Sequence, residues 1–120
     1  MAAVALQLLR KTVPANPWRN PATWPTWRGL LSHVLTITHR HPGSADEDVA
    51  WLLSRAAMYL RSRGEPKPAR PLFERAFELY RRLLGEDHSD TLKSADNLRA
   101  VGEHQQARQL EEYVRAHRKG

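Results

Sequence analysis

The sequence predicts an all-α fold, a short α-solenoid of about three helix-turn-helix hairpins. Three observations predict it. Apolar residues recur at i, i+3, i+4 and i+7 in successive stretches punctuated by Gly and Pro. No stretch sustains the period-two alternation of a half-buried strand. One pattern also occurs twice at the same internal spacing: Leu60–Glu65 followed by Ala69–Glu74 returns as Leu98–Glu103 followed by Ala107–Glu112.

Residues 2–13 form a short helix, apolar almost all round over residues 2–9 and stopped by Pro14, which disfavours helix at the residue before it. Pro14, Asn16, Pro17, Asn20, Pro21 and Pro25 then punctuate an irregular junction. Residues 1–24 are therefore read as an N-terminal helix and a Pro/Trp-rich junction, and residues 25–120 as the repeat domain. Pro25 suits a first helical turn, where its missing N–H is not needed. Trp27, Leu30, Leu31, Val34 and Thr38 follow on one face, and His41-Pro42-Gly43 closes that helix. Ser44-Ala45-Asp46-Glu47 has the form of a capping box, in which the serine oxygen and the glutamate each take an orphan N–H.

The helix opened by that box carries Val49, Leu52, Leu53, Ala56, Ala57 and Leu60 on one stripe, and Gly64 stops it. Pro66 and Pro68 fit only a first turn. Ala69, Leu72, Phe73, Ala76, Phe77, Tyr80, Leu83 and Leu84 give the strongest amphipathic pattern of the chain, ended by Gly85. Asp90 is the expected N-cap of a fifth helix holding Leu92, Ala95, Leu98 and Val101. Gly102 is expected to break it, and a sixth helix from about Gln105 to Arg118 would turn Ala107, Leu110 and Val114 inward.

Over Leu53 to Ala76 the small and aromatic positions resemble the tetratricopeptide repeat. With Leu84-Gly85-Glu86-Asp87-His88-Ser89-Asp90-Thr91-Leu92 between units, the chain resembles the kinesin-light-chain type, common in actinobacterial proteins. Residues 16–27, rich in Pro and Trp, look like the stretch that joins an NB-ARC-type ATPase module to such an array. The resemblance spans residues 14–118 and implies a protein- or peptide-binding scaffold. The apolar run before Arg10-Lys11 has the wrong order for a secretory signal, so a cytoplasmic protein is expected. Three departures stand out: Ser89 replaces the usual Pro after the linker His, the helix from Asp90 to Val101 is short, and Glu111 and Val114 stand where Phe73 and Ala76 do. A polar residue at a docking position reads as a terminal cap.

Composition narrows the function classes. Of 120 residues, 41% are apolar and 27% charged, ordinary for one globular domain. Cysteine is absent, which excludes disulfides and thiol chemistry. Most of the net charge of +6 resides in the N-terminal third, where Arg10, Lys11, Arg19, Arg28 and Arg40 meet no acid before Asp46. With Trp18, Trp24 and Trp27 these cations make a nucleic-acid-binding module the rival reading. Five cations over forty residues make no dense patch. An orphaned remnant of an NB-ARC and repeat protein is a third reading.

The phosphate loop GxxxxGK[ST], GxSxG and HExxH are all missing, so no catalytic residues and no cofactor are expected. His39 and His41 are better read as cations at a helix C-terminus than as metal ligands. Asp87-His88 has no nucleophile beside it. What remains is the concave face, where the first helix of each pair presents its off-core residues. Trp51, Arg55, Met58 and Arg61, joined by Lys93, Asp96 and Arg99, are the expected partner-binding residues, since a Trp and a Met beside Arg make an interface anchor. Trp51 could instead pack on the N-terminal helices. Residues 1–13 could mediate a homodimer, or fold back under Trp24 and Trp27 within one chain.

Overall fold

In a computed structural model, the described residues are 8–14, 16, 17, 20–40 and 47–117, with the side chains of Ile37, His39, Arg40, Arg108, Glu111, Val114 and His117 excepted. Helix α1 covers residues 8–12. A turn of 3-10 helix, Pro21–Thr23, leads into α2 (Trp24–Arg40), followed by α3 (Glu47–Ser62), α4 (Pro66–Leu84) and α5 (Ser89–His117). No strand occurs among the described residues. Each helix packs on the next, α2 on α3, α3 on α4 and α4 on α5, the stacking of a helical-repeat fold.

The turns are built by the residues the sequence marks. At the end of α3 the Gly64 N–H donates to the Arg61 carbonyl at 3.0 Å and the Glu65 N–H to the Leu60 carbonyl at 2.9 Å. This is a Schellman closure, and it needs the φ of +79° that Gly64 adopts. Pro66 then occupies the first position of α4. Gly85 closes α4 at φ +89°. The start of α5 differs from expectation: the Asp90 N–H donates to His88 Nδ1 at 3.1 Å, so His88, not Asp90, is the cap. The ring nitrogen does there what a serine or aspartate oxygen does elsewhere.

The core lies between α2, α3 and α4. Trp27, Val34, Leu52, Leu53, Ala56, Ala57, Tyr59, Phe73 and Ala76 are fully buried. The alanines bring α3 and α4 close, and Phe73 fills the space they leave. Trp27 stacks on Tyr59 and Trp24 meets the same ring edge-on. The Trp27 and Trp24 indole N–H groups donate to the carbonyls of Pro14 and Pro17, both at 3.0 Å. Residues 8–14 thus fold back within the chain, with Val13 buried. Arg75 of α4 donates to the Thr38 carbonyl at 2.8 Å, tying the end of α2 to the same body.

Gly102 does not break the helix. Residues 89–117 form one continuous α5 in which Gly102 has no positive φ, and the expected sixth helix is its distal half. The physical reason is that a glycine alone raises the free energy of a helix interior by only about 1 kcal/mol relative to alanine. In the first unit Pro66 and Pro68 follow Gly64 and forbid continuation. In the second the equivalent positions hold His104 and Gln106, which a helix accepts. The inward residues change with it: Thr91, Ser94 and Val101 are buried, whereas Leu92, Ala107 and Leu110, expected inward, are exposed. The capping box at 44–47, the helix stop at 41–43 and helix residues 2–7 lie outside the described residues. So do the side chains of Glu111 and Val114.

Candidate functional site

Between α3 and α5, floored by α4, runs a groove of about 410 Å³. Its α3 wall is Ser54, Arg55 and Met58, its floor Tyr80, and its α5 wall Asp90, Lys93, Ser94, Asp96 and Asn97. The spacing is helical on both sides, so each wall is one strip of a helix turned toward the other. Of the seven residues expected from the sequence, Arg55, Met58, Lys93 and Asp96 meet here. Trp51 lies one turn before Arg55 and Arg61 beyond Met58, neither in the lining. Arg99 stands outside, on the exposed surface, paired with Asp96 at 3.3 Å. Sequence reasoning missed Ser54, Tyr80, which reads as part of the core stripe, and on α5 Asp90, Ser94 and Asn97. The helix phase of α5 would have found these three.

Arg55 is the most constrained group of the groove. Its guanidinium lies over the Trp51 ring, 5.1 Å from the centroid, and one terminal nitrogen donates to the Met58 sulfur at 3.1 Å. Its Nε is buried with no hydrogen-bond partner among the described residues. Burial pulls Arg55 below its ordinary value, opposed by Tyr80 and Asp90. Burial likewise pushes the Tyr80 phenol up, and the Asp90 carboxylate adds to the rise.

Trp51 has a second cation. Arg10 of α1 sits 4.9 Å from its centroid and forms an ion pair with Asp48 at 2.8 Å. Trp51 is half-buried and joins the N-terminal segment to α3, while Arg55 links that contact to the groove. Of the aromatic set near the basic N-terminus, Trp27 is fully buried. Trp18, Arg19 and His41, with the His39 side chain, lie outside the described residues. Among the described residues no group of three or more His, Asp or Glu side chains is placed to hold a metal ion. No described helix is long and apolar enough to cross a membrane.

A helical hairpin closed at a glycine, with a following helix laid beside it to form a groove, is repeat geometry. Residues 49–90, which span α3, α4 and the turn into α5, match the model of the tetratricopeptide repeat family. Over that stretch, 42 of the 120 residues, the chain is similar to a tetratricopeptide repeat. No curated protein and no solved structure matches the chain significantly. Tetratricopeptide repeats generally mediate contacts between proteins, and the groove lies where the first helix of the repeat faces the helix after it.

Proposed function

We propose that the chain is a non-catalytic module that captures a protein or peptide segment in the groove between α3 and α5. The observation that carries this reading is Arg55. A buried guanidinium N–H without an acceptor is a costly state, and here it stands in the wall of an open groove beside a flexible thioether. A bound segment can bring a carbonyl or carboxylate oxygen to the part of the Arg55 guanidinium that lines the groove and apolar atoms to Met58, and a small outward turn of the side chain would let it reach Nε as well. Lys93 and Asp96 on the opposite wall fix orientation by charge.

The test is a peptide array probed with the full chain and with Arg55→Ala, each checked for native helicity by circular dichroism. Peptides held by the wild type should bind Arg55→Ala about ten-fold or more weakly, the loss of one charged hydrogen bond. Their capture should change little on raising salt. Peptide capture indifferent to Arg55 sinks the proposal. So does binding only to duplex DNA with a steep salt dependence, the mark of phosphate contacts.

We further infer that the repeat is of the kinesin-light-chain type and akin to the arrays that follow NB-ARC modules in actinobacterial proteins. The long linker Leu84–Leu92 and the Pro/Trp-rich residues 16–27 support that ancestry, and the order of the apolar run and Arg10-Lys11 supports a cytoplasmic place.

A further inference from the structure

Helix α5 has a second surface, on the side away from its buried residues Thr91, Ser94 and Val101. Along it run Leu92, Asp96, Arg99, Glu103, Gln106 and Leu110, all exposed. The intervals alternate between four and three residues throughout, so the six positions share one side of the helix, with leucine at the two ends and polar residues at the four positions between. Tyr113 extends the series by one step. Leu92, Leu110 and Tyr113 are 53%, 64% and 60% exposed, large apolar side chains that a solvated face does not need.

We propose that this stripe is the interface of a two-fold dimer in which α5 lies antiparallel to α5 of a second copy. The argument for a second copy is the symmetry of the stripe itself. With Val101 level with the axis, Leu92 meets Leu110 of the second copy, Asp96 meets Gln106 and Arg99 meets Glu103. Each contact occurs twice, as an isologous interface requires. Across that centre Arg99 faces Glu103, Asp96 faces the uncharged amide Gln106, and the leucines stand equally far from it. A stripe made for an unrelated protein has no reason to be its own complement. The leucines close the two ends, and the charged layers in the middle fix register and direction more than they add strength. Arg99 already pairs with Asp96 along its own helix, so the guanidinium enters the interface oriented. Arg99 and Glu103 do not line the groove, whereas Asp96 belongs to both surfaces, so Arg99 and Glu103 are the residues that separate the dimer from groove binding.

Sedimentation equilibrium of the full chain tests it. The wild type should associate to a dimer at tens of micromolar. Arg99→Glu alone and Glu103→Arg alone should each associate about ten-fold or more weakly, because like charges then face each other in both central layers. Mixed in equal amounts, the two variants should recover the dimer, since one copy now carries two acids and the other two bases. Changes within a single helix cannot produce that recovery. Circular dichroism confirms that each variant is folded.

A Leu92→Cys copy and a Leu110→Cys copy should also cross-link on oxidation, in a chain that has no cysteine of its own. The two positions lie about 27 Å apart along one helix, too far for a bridge within a chain. A wild type that stays monomeric at hundreds of micromolar, a mixture that fails to recover, or no cross-link overturns the proposal. So does a dimer untouched by both charge reversals but lost on deleting residues 1–13.

Discussion

The Trp27 ring lies stacked on the Tyr59 ring, with centroids 6.0 Å apart and planes inclined by 18°. The same indole donates its N–H to the Pro14 carbonyl. One side chain of α2 therefore holds both the last turn of α3 and the chain just after α1. Trp27→Ala should destabilise the chain by about 3–5 kcal/mol, the range for emptying a large aromatic site. Trp27→Phe keeps a stacked ring and loses the hydrogen bond, which should amount to about 1 kcal/mol. Urea midpoints at unchanged slope measure both. Equal losses for the two variants would show that the ring stack contributes nothing.

His88 caps α5 through its ring nitrogen. His88→Ala should destabilise by about 1 kcal/mol, and His88→Asn or His88→Asp should recover most of that, since each offers an oxygen to the same N–H. Thermal unfolding gives the total. Faster hydrogen exchange at the Asp90 amide in His88→Ala would locate the effect at the cap, and exchange unchanged there would refute the assignment.

Tyr80 gives a pH dependence of definite sign. Its phenol sits above the ordinary value of 10.0, chiefly through burial. The folded state holds the proton more tightly than the unfolded state. The stabilisation is therefore fully present below pH 10 and is lost as pH rises through the raised value. Tyr80→Phe should remove this component, so the difference in stability between wild type and variant should change only on the alkaline side. A difference that is flat to pH 11 counts against the buried phenol.

The two glycines that follow long apolar stripes should answer alanine in opposite ways. Gly102 is helical, and a Cβ there meets no atom within 4 Å. Gly102→Ala should stabilise by about 0.5–1 kcal/mol. Gly85 also has open space but a φ of +89°, and Gly85→Ala should destabilise by about 1–3 kcal/mol. Destabilisation at Gly102 would mean that a turn, and not a continuous helix, occupies that position.

The contrast between those glycines shows where the sequence is readable. Helices α2, α3 and α4 were legible because apolar stripes such as Val49–Leu60 and Ala69–Tyr80 are bounded by residues that force a stop. The continuity of α5 was not, because the repeat carries its glycine forward without the prolines, and a glycine is permissive in both directions. The phase of α5 slipped for a related reason. Its buried face begins with Thr91 and Ser94, polar residues that a hydrophobic stripe passes over in favour of Leu92. At the groove, Arg55, Met58, Lys93 and Asp96 follow from helix phase alone. The cation that Trp51 receives from Arg10 crosses forty-one positions, a tertiary contact to which local pattern is blind.

The length of α5 sets a gradient of protection along the chain. At about 1.5 Å per residue its 29 residues reach about 43 Å, against about 28 Å for the 19 of α4. The distal turns therefore run past the helix that supports them, with Leu110 and Tyr113 in water. Helix α3, with a neighbour on each side, should release its amides to deuterium only through global unfolding. The amides of residues 106–117 should exchange by fraying alone, many orders of magnitude sooner, in dilute solution. Among the described residues the backbone thus holds a slow clock and a fast one, separated by two turns and one helix.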